Sequence, residues 1–187
     1  MELNNIEIYS FEDEVWYRSA DGKHQKLDVE NREFVREILS HIETFYPKAF
    51  EKLKELYSKC SENIPYYQYR MVWRFCKCNF GIIDSVSDIS NCGRMNFEIV
   101  QCPLRGECCF ENVICKPKFD SKISSAEERV LKLWVNGQEK EDIADQLCLS
   151  IHTVNNHIRN AFKRIGVHSK AELITYVHNN KLWQQNE

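Results

Sequence analysis

Three separated cysteines stand within one short run, Cys102-PLRGE-Cys108-Cys109-FENVI-Cys115. Thiolates hold Zn2+ tetrahedrally, and a chain that turns at Arg105-Gly106 can bring Cys102, Cys108 and Cys115 onto one ion. A fourth ligand must then come from elsewhere. Residues 66–118 contain seven of the nine cysteines, and their aromatic and branched runs (residues 67–81 and 94–102) predict strands separated by turns. Asn91-Cys92-Gly93 reads as a hairpin tip, which sets Cys102 opposite roughly residue 81. Cys92 would lie ten residues from Cys102, roughly 33 Å at about 3.3 Å per residue, too far to share an ion. Cys78 is nearer, and Cys76, two residues earlier on the same strand face, is its substitute. The expected ligand set is Cys78, Cys102, Cys108 and Cys115, holding a structural zinc. The spacings of five and six are looser than those of zinc knuckles, so an iron–sulfur cluster and plain buried thiols stand as alternatives. Cys60 and Cys148 lie on helical patterns and read as packing residues.

A second set of side chains could read a polyanion. Between Ser150, a helix-capping residue, and Gly166, the apolar positions Val154, Ile158, Ala161 and Ile165 fall at helical spacing. The opposite face presents His152, Asn155, Asn156, Arg159 and Lys163. Residues 151–165 carry three Lys or Arg and no acid, a composition suited to phosphates and base edges. His157, without partner ligands, reads as a packing residue.

Such a helix needs support, and the preceding segment supplies it. Val130, Leu131 and Trp134 form one apolar stripe, and Ile143, Ala144 and Leu147 form the next. Gly137 and Gly166 follow their stripes where a left-handed C-terminal residue is wanted, and Cys148-Leu149 spans the short turn of a helix-turn-helix. Over residues 123–174 the chain resembles the LuxR-type helix-turn-helix family of bacterial transcription regulators. The agreement is carried by Glu127, Val130-Leu131, Gly137, Ile143-Ala144, Leu147, Ser150, Thr153-Val154, His157, Gly166-Val167, Ser169 and Glu172-Leu173. The resemblance implies four helices, with Asn155, Asn156 and Arg159 facing the major groove and Lys140, Thr153 and Lys163 approaching phosphates. Two positions depart from the family pattern: Glu139, where a small hydroxyl residue usually caps the second helix, and Asn155, where a basic residue is common.

The rest of the chain is read against that domain. The net charge of −3 divides unevenly: residues 121–187 hold nine basic and eight acidic residues, and residues 1–120 hold sixteen and twenty. The acidic part is therefore not the part expected to meet nucleic acid, and local field rather than total charge must carry affinity. Residues 6–27 alternate as short strands, with Asp21-Gly22 as a hairpin turn. Phe34, Ile38, Ile42 and Phe45 mark a helix, and after Pro47 a second follows through Phe50, Leu53 and Tyr57. These stripes read as core rather than as a ligand pocket. A phosphoacceptor receiver cannot be drawn through adjacent helices and a cysteine-rich tail.

With 43% hydrophobic and 12% aromatic residues, folded cores are expected throughout. There is no apolar run near 18 residues and no basic-then-apolar leader, so a cytoplasmic protein, with no membrane span or signal peptide, is expected. Cytosolic cysteines are thiols or metal ligands. The sequence has no phosphate-cradling loop, nucleophile elbow or paired-histidine protease motif, and an enzyme is not expected.

The resulting architecture is α+β. Residues 1–65 form an N-terminal region of short antiparallel strands and a helical pair, residues 66–118 a cysteine-rich β segment packed with it, and residues 119–187 an all-α four-helix DNA-binding domain. The expected partner is double-stranded DNA, bound by a homodimer paired through the last helix, where Ala171, Ile174, Tyr176 and Val177 offer apolar surface. An adaptor that docks on RNA polymerase through a sigma-region-4-like fold is the alternative, and a cysteine-based redox or iron–sulfur sensor is a third reading.

Overall fold

The computed structural model of the chain describes residues 5–89, 95–180 and 182–183. It is α+β, in two compact units comprising residues 1–119 and 120–187. Among the described residues no helix is long and apolar enough to cross a membrane.

The first unit opens with β1 (Glu7–Phe11), β2 (Glu14–Arg18) and β3 (His24–Lys26), an antiparallel meander in the order β1-β2-β3. Glu12 and Asp13 join β1 to β2 with φ of 49° and 65°, the two left-handed residues that a two-residue turn matched to strand twist requires. The Asp21-Gly22 turn lies between β2 and β3, where Gly22 Nα–H donates to Ser19 (2.8 Å) and Gly22 takes a φ of 80°. The helical pair follows as α1 (Arg32–Phe45) and α2 (Pro47–Leu56). Phe34, Ile38 and Ile42 of α1 are buried with Ile8, Val15 and Tyr17 of the sheet, and the Tyr17 and Phe34 rings stack at 4.0 Å.

The next element departs from the strand expected over residues 67–81. Residues Ile64–Asn79 form a helix, α3, capped by Asn63, whose side chain accepts from the Tyr66 amide. Its buried residues are Met71, Val72, Phe75, Cys76 and Asn79, a helical repeat that the aromatic and branched residue types masked. Cys76 and Cys78 therefore do not share a face as they would on a strand: Cys76 is in the core and Cys78 is half-buried. The remainder of the expected β segment holds no regular strand among the described residues. Only isolated antiparallel bridges, Ile6 with Ile89 and Ile89 with Met95, occur there. The hairpin tip expected at Asn91-Cys92-Gly93 lies outside the described residues.

Carboxylates rather than a ladder fasten this long connection. Asp84 Nα–H donates to Glu7 Oε1 (2.8 Å), Ile8 Nα–H donates to Asp88 Oδ2 (2.6 Å), and Glu98 Oε2 accepts from the amides of Gly81 and Ile82. Burial, with Glu7, Glu98 and Asp84 nearby, pushes the Asp88 carboxyl up to about 8.

Candidate nucleic-acid interface

The second unit is built from α4 (Ser125–Val135), α5 (Lys140–Leu147), α6 (Ile151–Ile165) and α7 (Lys170–Asn179). Local chemistry sets each boundary. Ser124 caps α4 in a reciprocal box with Glu127, Ser150 Oγ accepts from the Thr153 amide at 3.0 Å, and Ser169 Oγ accepts from the Glu172 amide at 3.1 Å. Helix α5 is the exception, since Glu139 makes no side-chain cap there. It ends at Cys148, which is left-handed (φ 53°), and Gly166 ends α6 in the same way (φ 73°).

The inward stripes meet in one core. Val130 and Leu131 from α4, Ile143 and Ala144 from α5, and Val154, Ile158 and Ala161 from α6 are buried together with Val167, Leu173 and Val177. Glu127 is buried beneath α6, where its Oε2 accepts from Arg164 Nη1 at 2.6 Å and from Ser124 Oγ at 2.8 Å. The same guanidinium donates to the Lys122 carbonyl at 3.2 Å, so the end of α6 is fixed to the start of α4.

With α6 held in this way its polar face points outward. Asn155, Arg159 and Lys163 are exposed and Asn156 is half-buried. Arg159 Nη2 donates to Asn156 Oδ1 at 2.9 Å, which pre-orients the guanidinium along the helix surface. One concave hollow is lined by Lys140, Asn155, Asn156, Arg159, Lys163 and Trp134. Five of the six side chains expected to contact DNA are thereby brought together. Thr153 stands apart from them, its hydroxyl paired with that of Ser150 at 2.8 Å. Among the described residues no carboxylate lines the hollow, and it gathers the Lys140, Arg159 and Lys163 cations.

Sequence reasoning missed Trp134 and His168 at this hollow. Trp134 falls on the inward stripe of α4 yet is only half-buried, and the Lys140 and Lys170 ammonium groups lie 5.7 and 5.2 Å from its ring. Tryptophan's size on a short helix was the available signal, since its ring extends past the stripe.

Residues 121–177 match the profile described as bacterial regulatory proteins, luxR family. Spore germination protein GerE of Bacillus subtilis is 34% identical over 59 residues, which cover 30% of this chain and 80% of that protein. The chain belongs to the luxR family of bacterial regulatory proteins. Within that family it is also similar to the Fimbriae Z protein of Salmonella typhimurium (40% over 63 residues, 34% of this chain and 30% of that protein). The uncharacterized response regulatory protein YgeK of Escherichia coli is 34% identical over 64 residues, 34% of this chain and 44% of that protein. The chain thus spans about a third of the length of the Fimbriae Z protein it matches. No solved structure matches the chain at significance.

The four cysteines expected to bind metal are in the first unit. Cys115 is buried, Cys78, Cys102 and Cys108 are half-buried, and Cys109 is exposed. Among the described residues no group of three or more His, Cys, Asp or Glu side chains is arranged to hold an ion as it stands.

Proposed function

We propose that this chain is a cytoplasmic, sequence-specific DNA-binding transcriptional regulator that lays α6 in the major groove. The observation that carries the reading is the outer face of α6, where amides and a guanidinium suited to base edges are flanked by lysines suited to phosphates. Membership of the luxR family supports it. In the proposed arrangement Asn155, Asn156 and Arg159 read bases, and Lys140, Thr153 and Lys163 hold the backbone. The Arg159–Asn156 hydrogen bond lowers the entropy lost when the guanidinium docks.

The test is a selection from random duplex DNA followed by titration of the selected site. Asn155→Ala, Asn156→Ala and Arg159→Ala should each lose about 1–3 kcal/mol of specific binding and relax sequence preference. Lys163→Ala should weaken all sequences alike and reduce the salt slope by about one phosphate contact. A protein that enriches no sequence, and whose affinity is indifferent to these changes, overturns this reading and favours that of an adaptor for RNA polymerase.

We propose further that two chains bind together on DNA through the outer side of α7. The apolar surface available is smaller than the sequence suggested. Val177 is buried and Tyr176 is half-buried, its hydroxyl donating to the Ser121 carbonyl at 3.2 Å, which leaves Ala171 and Ile174 exposed. Ile174→Glu should abolish cooperative occupancy of two half-sites while leaving binding to a single half-site intact. A footprint confined to one half-site at saturation overturns the pairing.

A further inference from the structure

Cations of the second unit differ in how they are neutralised. Lys122 pairs with Asp120 at 3.1 Å, Lys132 with Glu128 at 2.9 Å and Arg164 with Glu127 at 2.6 Å. Among the described residues, Lys140 and Lys170 have no carboxylate partner. Glu139, beside Lys140, is exposed, and Glu172, two residues past Lys170, is turned to the His168 amide at 2.8 Å.

Both lysines are held instead at one aromatic ring. The ammonium of Lys140, the first residue of α5, lies 5.7 Å from the centroid of the Trp134 ring, and that of Lys170, the first residue of α7, lies 5.2 Å from it. The same indole packs against α6, with the Phe162 ring 5.8 Å away. One side chain of α4 therefore touches the other three helices of the unit. Its neighbours Val130 and Leu131 are fully buried, whereas Trp134 is half-buried and lines the hollow beside α6. Lys140 lines the hollow with it, and Lys170 follows two residues after His168, which also lines it.

This arrangement has an electrostatic demand. Two ammoniums drawn to one ring repel each other, and an anion set between them relieves the repulsion. The ring attracts each cation through its face and consumes none of the three N–H donors, which stay free for an oxygen acceptor. Lys140 and Lys170 are half-buried, unlike the exposed Arg159 and Lys163. A lysine already held in this way loses less freedom on docking than one that is free in solvent.

We propose that Trp134 is a positioning residue for double-stranded DNA. It holds the Lys140 and Lys170 ammoniums together, so that the starts of α5 and α7 clamp backbone phosphate beside α6. The inference rests on the DNA-binding reading given above and extends it to Lys170, which meets phosphate, and to Trp134, which acts through the two lysines.

The test measures affinity of the full chain across a range of salt concentrations, for random-sequence duplex and for the selected site. Lys170→Ala should weaken both duplexes alike and reduce the salt slope by about one phosphate contact. Trp134→Leu should weaken both by about three- to tenfold, and Trp134→Phe, which keeps a ring, should restore most of that loss. In the Trp134→Leu background the effect of Lys170→Ala should shrink, because the ring acts through the lysine, whereas a tryptophan that only supports the core gives additive losses. Should Trp134→Leu not fold, the same cycle with Trp134→Phe decides, since a phenyl ring holds a cation less strongly. An unchanged salt slope in Lys170→Ala, additive losses in the cycle, or a loss confined to the selected sequence would each overturn the clamp and leave DNA binding standing. Native protein that binds no duplex at any salt concentration would overturn both.

Discussion

Glu127 is the residue on which the register of the second unit turns. Its carboxylate is buried, and its partners are Ser124 and Arg164. Arg164→Ala would leave it with the serine alone and should cost about 1–3 kcal/mol in chemical denaturation, because an under-satisfied buried carboxylate retains its desolvation penalty. Asp88 in the first unit makes a different demand, on pH. Its folded-state pKa is raised by burial to about 8, so between an ordinary carboxylate value and 8 the folded protein holds a proton that the unfolded chain has released. Stability is therefore lost as pH rises through that window. His41 opposes this below 6.5, since burial lowers it to about 4 and acid then favours the unfolded state. Between pH 6.5 and 8 the Asp88 slope stands without that opposition. Asp88→Asn keeps an acceptor for the Ile8 amide and should flatten a decline of about 1–2 kcal/mol across that window, measured as the denaturation midpoint at each pH.

At the level of elements, helix ends were legible from sequence, and one whole helix was not. Ser150, Gly137 and Gly166 act as their residue types suggested, because caps and left-handed termini are decided by the few atoms next to them. Helix α3 was hidden because Tyr66, Tyr67, Tyr69, Trp73 and Phe75 carry the branched and aromatic chemistry of strands, and only tertiary burial of Met71, Val72, Phe75 and Cys76 selects the helix. The candidate interface was legible because a polar face on a capped helix is a local pattern. Trp134 was not, because its place beside Lys140 and Lys170 depends on how α4 is packed. The same reasoning identifies a removable strain. Cys148 ends α5 at φ 53° and is exposed, so Cys148→Gly should raise the thermal midpoint of the second unit by the equivalent of about 0.5–1 kcal/mol. Cys148→Val should lower it.

Across the whole molecule, the two cores share no residue. Residues 120–187 expressed alone should therefore fold to a helical domain, seen by circular dichroism and a cooperative thermal transition, and should bind DNA more weakly than the full chain does. Calorimetry of the full chain should resolve two transitions, and only that of the first unit should move with Asp88→Asn. A single transition abolished by cutting at residue 120 would contradict independent folding.

The anchorage of β1 has a consequence in time. Ile8 and Glu7 bond to Asp88 and Asp84, partners about 80 positions downstream. At roughly 5–20 residues per second, a ribosome releases those partners on the order of 4–16 s after the first strand has emerged. The strand can find β2 almost at once through its two-residue turn, but the buried Glu7 carboxylate must stay hydrated until Asp84 arrives. The first unit, made first, is thus completed late, whereas α4 to α7 lie together between Ser125 and Asn179 and can fold as soon as that stretch clears the ribosome exit.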